Sequence, residues 1–274
     1  MDRWEQGDDS ETWEIARRFV HARQHAHALP DFPGTRPPWL DAGYEIQDAA
    51  IALWPSAIAG WKVGKIPDAW VAQLGEDRLV GPIFSAAVQR ASSAPSTFDV
   101  IPGGFAAVEA EFVYRIGEDA PPNKLHWTED EALAVVDAMH VGVEFAGSPL
   151  ATINDLGPTV VVSDFGNNTG LVIGPEIPEW RDRDEPRLTC EVRIDGIVVG
   201  QGAAASIAGG TGEALRFALA RCARRGMPLR AGQWISTGAA TGIHDIREGQ
   251  HAEVDFGPLG RIDCIAIPAS KPTA

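Results

Sequence analysis

Near Val80 the periodicity of the chain changes, and that change restricts the fold more than any other feature. Before it, apolar residues recur at helical spacing: Ile15, Phe19, Ala22, Ala26 and Leu29 line one helix face. Pro30 closes that helix, and Asp31 to Pro38 reads as a proline-rich loop. A second helix is expected from about Leu40 to Trp54, stopped by Pro55, and a short third from about Pro67 to Leu74, ended by Gly75. After Val80, short runs of β-branched and aromatic residues alternate with turn residues. The expected strands are Ala107 to Ile116, His140 to Phe145, Thr159 to Ser163, Gly170 to Ile173, Leu188 to Ile194 and Ile197 to Gly200. Three more follow at Trp234 to Thr237, His251 to Phe256 and Arg261 to Ile267. Asp195-Gly196 signals a hairpin, because both positions tolerate positive φ. Gly257 to Gly260 reads as a second turn.

Two helices interrupt the strands. One starts at Thr128, where Thr128 and Glu131 make a capping box. The other runs from about Thr211 to Arg225, with Gly226 as its stop. The pattern defines an α+β chain. A helical N-terminal subdomain, residues 1–79, precedes a β-rich catalytic domain, residues 80–274, the two expected to form one continuous unit.

Composition limits the function classes. The 274 residues are 45% hydrophobic and 22% charged, which suits a globular chain with a substantial core. The formal charge of -15 repels phosphate backbones and argues against nucleic-acid binding. Cys190, Cys222 and Cys264 stand far apart without a CxxC pair, so a thiolate zinc site is not expected and buried, reduced thiols are. Met1 to Glu5 is polar, and no apolar run approaches the ~18 residues of a membrane span. A cytoplasmic location without membrane contact is the expectation.

The most informative stretch is Gly103 to Val113, which contains Glu109-Ala110-Glu111 within an apolar run. In a strand these glutamates share a face, with Cα atoms ~6.5 Å apart. Either that face is solvated, or the two carboxylates share a cation that relieves their repulsion and lost hydration. Oxygen ligands alone favour a hard ion such as Mg²⁺, Mn²⁺ or Ca²⁺. Glu144 is a third acid inside an apolar strand, either another ligand or a carboxylate paired with an arginine. Lys62, in Gly60-Trp61-Lys62-Val63-Gly64, either packs its stem and exposes its amine, or offers charge to an anion. In the second case, desolvation that lowered its pKa would make it a proton donor. Gly209-Gly210-Thr211-Gly212 precedes a helix without the lysine of a P-loop, and reads as a turn more than an anion cradle. His140 reads as a core or surface residue before a general base, and Ser163 lacks the elbow of an acyl-enzyme serine.

In order and spacing these motifs resemble the fumarylacetoacetate hydrolase superfamily, and within it the 2-keto-4-pentenoate hydratases and 4-oxalocrotonate decarboxylases. The resemblance runs from about Trp13 to Ile267. It rests on Tyr44 to Gln47 with Gly60 to Gly64, on Glu109-Ala110-Glu111 with Glu144, on Leu229 to Gly238, and on Gly249 to Gly260. It implies a mixed, curled β-sheet body behind a helical N-terminal part. It also implies Mg²⁺ or Mn²⁺ held by Glu109, Glu111 and Glu144, with Lys62 facing the substrate. Ser163, Asp164, Thr237 and Gly238 are expected beside that substrate. The implied activity is that of a metal-dependent lyase, a hydratase of a small 2-keto or 2-hydroxydienoic acid in aromatic-compound breakdown. The alternatives are a 4-oxalocrotonate-type decarboxylase, an acylpyruvate-type C–C hydrolase, or a non-catalytic subunit. A homo-oligomer, and association with a related hydratase or decarboxylase, are further expectations.

The chain also departs from that branch. Phe145 to Pro149 lacks the acid and Ser-Arg that commonly follow the third glutamate, and Ser163 to Asn168 replaces an Ala-Asp-Asn-like segment. Glu76 to Gly81 places Leu79 where the branch carries an acid suited to proton transfer. The metal ligands are kept while the substrate-facing shell changes.

Overall fold

The computed structural model describes residues 10–270; Met1 to Glu5 lies outside them. The elements run α1 (Glu11–Gln24), α2 (Leu40–Leu53), β1 (Ile58–Lys65), α3 (Asp68–Leu74), β2 (Arg78–Phe84), β3 (Val88–Arg90), β4 (Ser96–Val100) and β5 (Phe105–Ile116). They continue with α4 (Glu129–Ala134), β6 (Val136–Ser148), α5 (Pro158–Ser163), β7 (Asn168–Glu176), β8 (Thr189–Ile194), β9 (Ile197–Ala203) and α6 (Gly210–Arg224). The last are β10 (Trp234–Ser236), β11 (His244–Asp245), β12 (His251–Asp255) and β13 (Arg261–Pro268).

The strands form two sheets. The larger is ordered β2-β1-β10-β5-β6-β7-β3, with β11 also pairing β5, and the smaller is β4-β13-β12-β8-β9. Both are mixed: β1–β10, β3–β7 and β4–β13 run parallel, and the other pairs antiparallel. The long β5–β6 ladder is buried almost throughout and forms the spine. Helix α6 lays Leu215, Leu219 and Cys222 into the main core with Trp61, Val63 and Val80. Helices α1 and α2 share a second core built on Ile15, Phe19, Ile46 and Ala50. The α+β architecture, with N-terminal helices and a curled mixed sheet, matches the expectation.

Local chemistry explains most boundaries. Thr128 and Glu131 satisfy each other's backbone donors in the capping box that opens α4. Asp195 and Gly196 both take positive φ in the two-residue turn between β8 and β9.

Three expectations need correction. Helix α1 ends at Gln24, short of Ala26 and Leu29, because Ala26 adopts left-handed backbone with φ of 51°. Thr159 to Ser163 is helix α5, not a strand. Pro158 stands in its first turn, the preceding Gly157 has φ of 99°, and the segment is walled in by α2 and β2. That environment overrides the strand preference of three valines. Finally, β1 and β2 appear where no strand was expected, and they carry residues 58–65 and 78–84 into the larger sheet.

Candidate metal and substrate site

The register of the larger sheet assembles the site. Glu109 pairs with Glu144 across β5 and β6, and Glu111 with Gly142, so all three carboxylates stand on one face. Lys62 reaches that face from β1, where it pairs with Ser236 of β10. Gly60 permits this approach, because a Cβ there would lie 2.2 Å from the Trp234 carbonyl oxygen. All four charged side chains are buried, at no more than 4% exposure.

Glu111 and Glu144 are each half-satisfied. Gly238 donates its backbone N–H to Oε2 of Glu111 at 2.6 Å. Asn168 donates Nδ2 to Oε1 of Glu144 at 3.0 Å, and the Lys62 ammonium lies 3.2 Å from that same oxygen. Oε1 of Glu109, Oε1 of Glu111 and Oε2 of Glu144 are buried without any hydrogen-bond partner. Carboxylate oxygens of the three residues lie within 4.8 Å of one another. Orphaned buried acceptors converging this way call for an ion or water. Three carboxylates and one ammonium leave a formal deficit that one divalent cation neutralises. All the ligand atoms are oxygens, the donor set of a hard cation. The residues therefore fit the metal that the sequence implied.

The electrostatics agree. Burial pushes the Glu109 carboxyl up to about 8, the Lys62 charge opposing the shift and Glu144 adding to it. Glu111 is raised well above its ordinary range by burial, then by Glu144 and Glu109. At Lys62, burial opposes the charge, yet Glu144, Glu109 and Glu111 outweigh it and raise the pKa. A lysine with a lowered pKa, ready to give up its proton, is thus not what the fold builds: Lys62 is held as an ammonium.

A turn of unusual backbone supports the lysine. Phe165, Gly166 and Asn167 have φ of 55°, 62° and 58°, three successive left-handed residues of which two are not glycine. This turn brings Oδ1 of Asn167 to Lys62 Nζ at 3.1 Å, while Asn167 Nδ2 donates to Asn154. It packs on β2 so closely that a Cβ at Gly81 would lie 2.1 Å from the Phe165 carbonyl oxygen.

A cavity of about 380 Å³ opens on this group and is lined by Lys62, Glu109, Leu79, Asn167, Thr237 and Gly238 among others. Thr237 and Gly238 are part of that lining, although the Thr237 hydroxyl is given to the Phe112 carbonyl. Ser163 and Asp164 do not reach the cavity. The Ser163 hydroxyl bonds within its own helix to the Thr159 carbonyl, and Asp164 is locked between Arg23 and Ser148. Asn167 and Asn168 do touch the site and were not singled out in the sequence. Their signal lies in the altered segment 163–168, whose amides hold Lys62 and Glu144.

The remaining candidates resolve simply. His140 spends Nδ1 on the Gly174 carbonyl and packs edge-on against Trp234. The start of α6 is filled by Glu185, whose carboxylate accepts from the Thr211 backbone, so Gly209 to Gly212 is a turn. A second cavity, about 400 Å³, lies against Phe98 and Phe145 and holds none of the three acids. Phe145 is adjacent in sequence to Glu144, and so belongs to the opposite face of the sheet. Cys190, Cys222 and Cys264 are free and buried. Among the described residues no helix is long and apolar enough to cross a membrane.

With this geometry in hand, the comparisons are specific. The family model described as fumarylacetoacetate (FAA) hydrolase C-terminal matches residues 78–265, and the chain belongs to that family. It is 25% identical over 227 residues to the TodF product hydratase of Pseudomonas putida F1, covering 81% of this chain and 82% of the relative. It is 28% identical over 187 residues to REH2-associated factor 2 of Trypanosoma brucei brucei, covering 66% of this chain and 65% of that relative. In fold it is similar to the 4-oxalocrotonate decarboxylase of Pseudomonas putida G7 complexed with calcium and acetate. That match has a TM-score of 0.76 at 22% identity and covers 94% and 97% of the two chains. The same decarboxylase with magnesium and adipate gives 0.75 at 22% identity, with the same coverage.

Proposed function

We propose that this chain is a metal-dependent lyase, a hydratase acting on a small 2-keto or 2-hydroxydienoic acid. The observation that carries this reading is the convergence of three buried carboxylates, each with an unpartnered oxygen, beside a cavity that Lys62 lines. Glu109, Glu111 and Glu144 would hold Mg²⁺ or Mn²⁺. Such an ion supplies Lewis acidity and a template that orients a chelating 2-oxo acid.

The protein's own groups do the rest. Lys62 keeps its proton and offers fixed positive charge to an anionic oxygen of the substrate. Asn167 and Glu144 hold that ammonium in place, so little reorganisation is needed when charge develops. Leu79, Val161, Ile207 and Ile243 give the cavity an apolar wall that keeps bulk water from a conjugated tail. Leu79 stands where a proton-transferring acid was expected, so the cavity wall offers no acid at that position.

The relationship to TodF product hydratase supports the hydratase over its alternatives. The fold likeness to 4-oxalocrotonate decarboxylase over nearly the whole chain supports a decarboxylase as second reading. The test is to follow the dienol absorbance of 2-hydroxypenta-2,4-dienoate with and without Mg²⁺. Magnesium-dependent loss is expected, whereas absence of metal-dependent turnover on any 2-oxo acid overturns both readings.

A further inference from the structure

The end of helix α1 gathers three of the chain's seven histidines, His21, His25 and His27. Their rings are neighbours in space. The His21 and His25 centroids lie 4.1 Å apart, and His27 lies 6.2 Å from the first and 6.3 Å from the second. His21 and His25 are four residues apart and so meet on one helix face. His27 joins them through the backbone: Ala26 takes a left-handed φ of 51°, and the His27 N–H turns back to the Ala22 carbonyl at 2.9 Å. The rest of the helix is anchored. Ile15, Ala16, Phe19 and Val20 lie in the second core, and Arg23 is tied to Asp164 at 2.5 Å. His21 and His27 are exposed and His25 is partly buried, so the cluster is open to solvent on a fixed platform.

One of these imidazoles is already set for a metal. Nδ1 of His25 lies 2.9 Å from the His21 carbonyl oxygen. A carbonyl only accepts, so Nδ1 carries the proton and Nε2 keeps its lone pair, as in metal-bound histidines held by a backbone partner. The spacing is also near what an ion needs. A metal–nitrogen bond of about 2.1 Å, with about 1.2 Å more to the ring centre, puts each centroid about 3.3 Å from the ion. Rings at tetrahedral angles then stand about 5.3 Å apart. The observed 4.1, 6.2 and 6.3 Å fall on both sides of that value. Among the described residues only the three glutamates already bring three ligand atoms within 4.8 Å. Rotation of the solvent-accessible histidine rings, changing each separation by about 1 Å, completes the second set. The carbonyl end of a helix favours a cation as well.

We propose that His21, His25 and His27 form a second metal site, for a divalent transition ion such as Zn²⁺ or Cu²⁺. It is separate in place from the three glutamates, since none of the histidines lines their cavity. It is separate in chemistry too: imidazole nitrogens suit zinc, copper and nickel, whereas carboxylates suit magnesium and manganese. The bound ion clips the turn at Ala26 to the last turn of α1 and leaves a fourth position to water.

The test is a Cu²⁺ titration of the untagged full chain with Mg²⁺ in excess, followed by electron paramagnetic resonance. Nitrogen hyperfine splitting is expected from the first copper bound, a signature that oxygen ligands cannot give. His21→Ala, His25→Ala and His27→Ala should each weaken that copper by at least about tenfold. His251→Ala, which removes an exposed histidine of β12, should leave the affinity unchanged. Should an alanine variant fail to fold, the glutamine variant at the same position stands in, since it too lacks the imidazole. A copper signal without nitrogen splitting overturns the proposal. So does an unchanged affinity in any of the three cluster variants, or an equal loss in His251→Ala, which would mean that copper scatters over surface histidines.

Discussion

Glu109 and Glu144 face each other directly across the antiparallel β5–β6 ladder, two buried acids in one cross-strand pair. Like charges in that position destabilise a sheet, and burial adds to the penalty. A fold that keeps this pair holds it against stability for some other end. Glu109→Gln should therefore leave the metal-free chain at least as stable as wild type at pH 8. Its Mg²⁺ affinity should fall by more than about 100-fold, beyond the range seen for residues that merely support a ligand. Thermal unfolding with and without Mg²⁺ checks both halves. A variant that unfolds in the absence of metal, when wild type does not, would give Glu109 a structural role instead.

Protonation supplies an independent check. The Glu109 carboxyl is raised from 4.5 to about 8 by burial, with Lys62 opposing the shift. Between those values the folded metal-free chain holds more protons at this site than the unfolded chain does, so stability falls as pH rises through the window. A cation needs the carboxylate form and must expel the proton. At pH 7, Mg²⁺ uptake should release protons, seen as a calorimetric heat that scales with the ionisation enthalpy of the buffer. The part of that dependence owed to Glu109 should fade above about pH 9. Buffer-independent heats at pH 7 would show that Glu109 and Glu111 are both already ionised.

How much of this was legible beforehand depends on the range of the interaction. The two glutamates of β5 share a face by the period of two, and that is readable locally. Their meeting with Glu144 depends on strand register, which the folded sheet supplies. β1 escaped notice because Gly60, Lys62 and Gly64 dilute any strand pattern. Gly60 answers to a crowded neighbour rather than to local preference, as the 2.2 Å approach to Trp234 shows. Thr159 to Ser163 misled in the opposite direction, its β-branched run overridden by Pro158 and by burial on both sides. The amides Asn167 and Asn168 needed the left-handed turn at Phe165 before they could be placed.

Asn168 joins the two faces of the site's sheet. It borders the second cavity, yet its Nδ2 reaches Oε1 of Glu144 at 3.0 Å. A donor to a ligating carboxylate fixes its rotamer and the direction of its free oxygen. Asn168→Ala should weaken Mg²⁺ by about 10- to 100-fold with little change in turnover at saturating metal. A Mg²⁺ titration of activity reads both numbers. An unchanged titration midpoint would mean that Lys62 alone orients Glu144.

Asp164 tests the difference between a substrate ligand and a brace. Its side chain is fully buried, 2.5 Å from Nε of an almost equally buried Arg23, and it accepts from Ser148 as well. Removing one partner strands the other charge in a dry interior. Asp164→Ala should thus cost about 3–5 kcal/mol of stability in urea unfolding. Glu14→Ala, which breaks the exposed pair with Arg18 at 2.8 Å, should cost about 1 kcal/mol or less. The folded fraction of the Asp164 variant should keep wild-type KM, because the carboxylate does not line the cavity. A variant as stable as wild type but with a sharply raised KM would restore Asp164 to the substrate, and would require the Ser163 to Asn168 segment to rearrange when the site is filled.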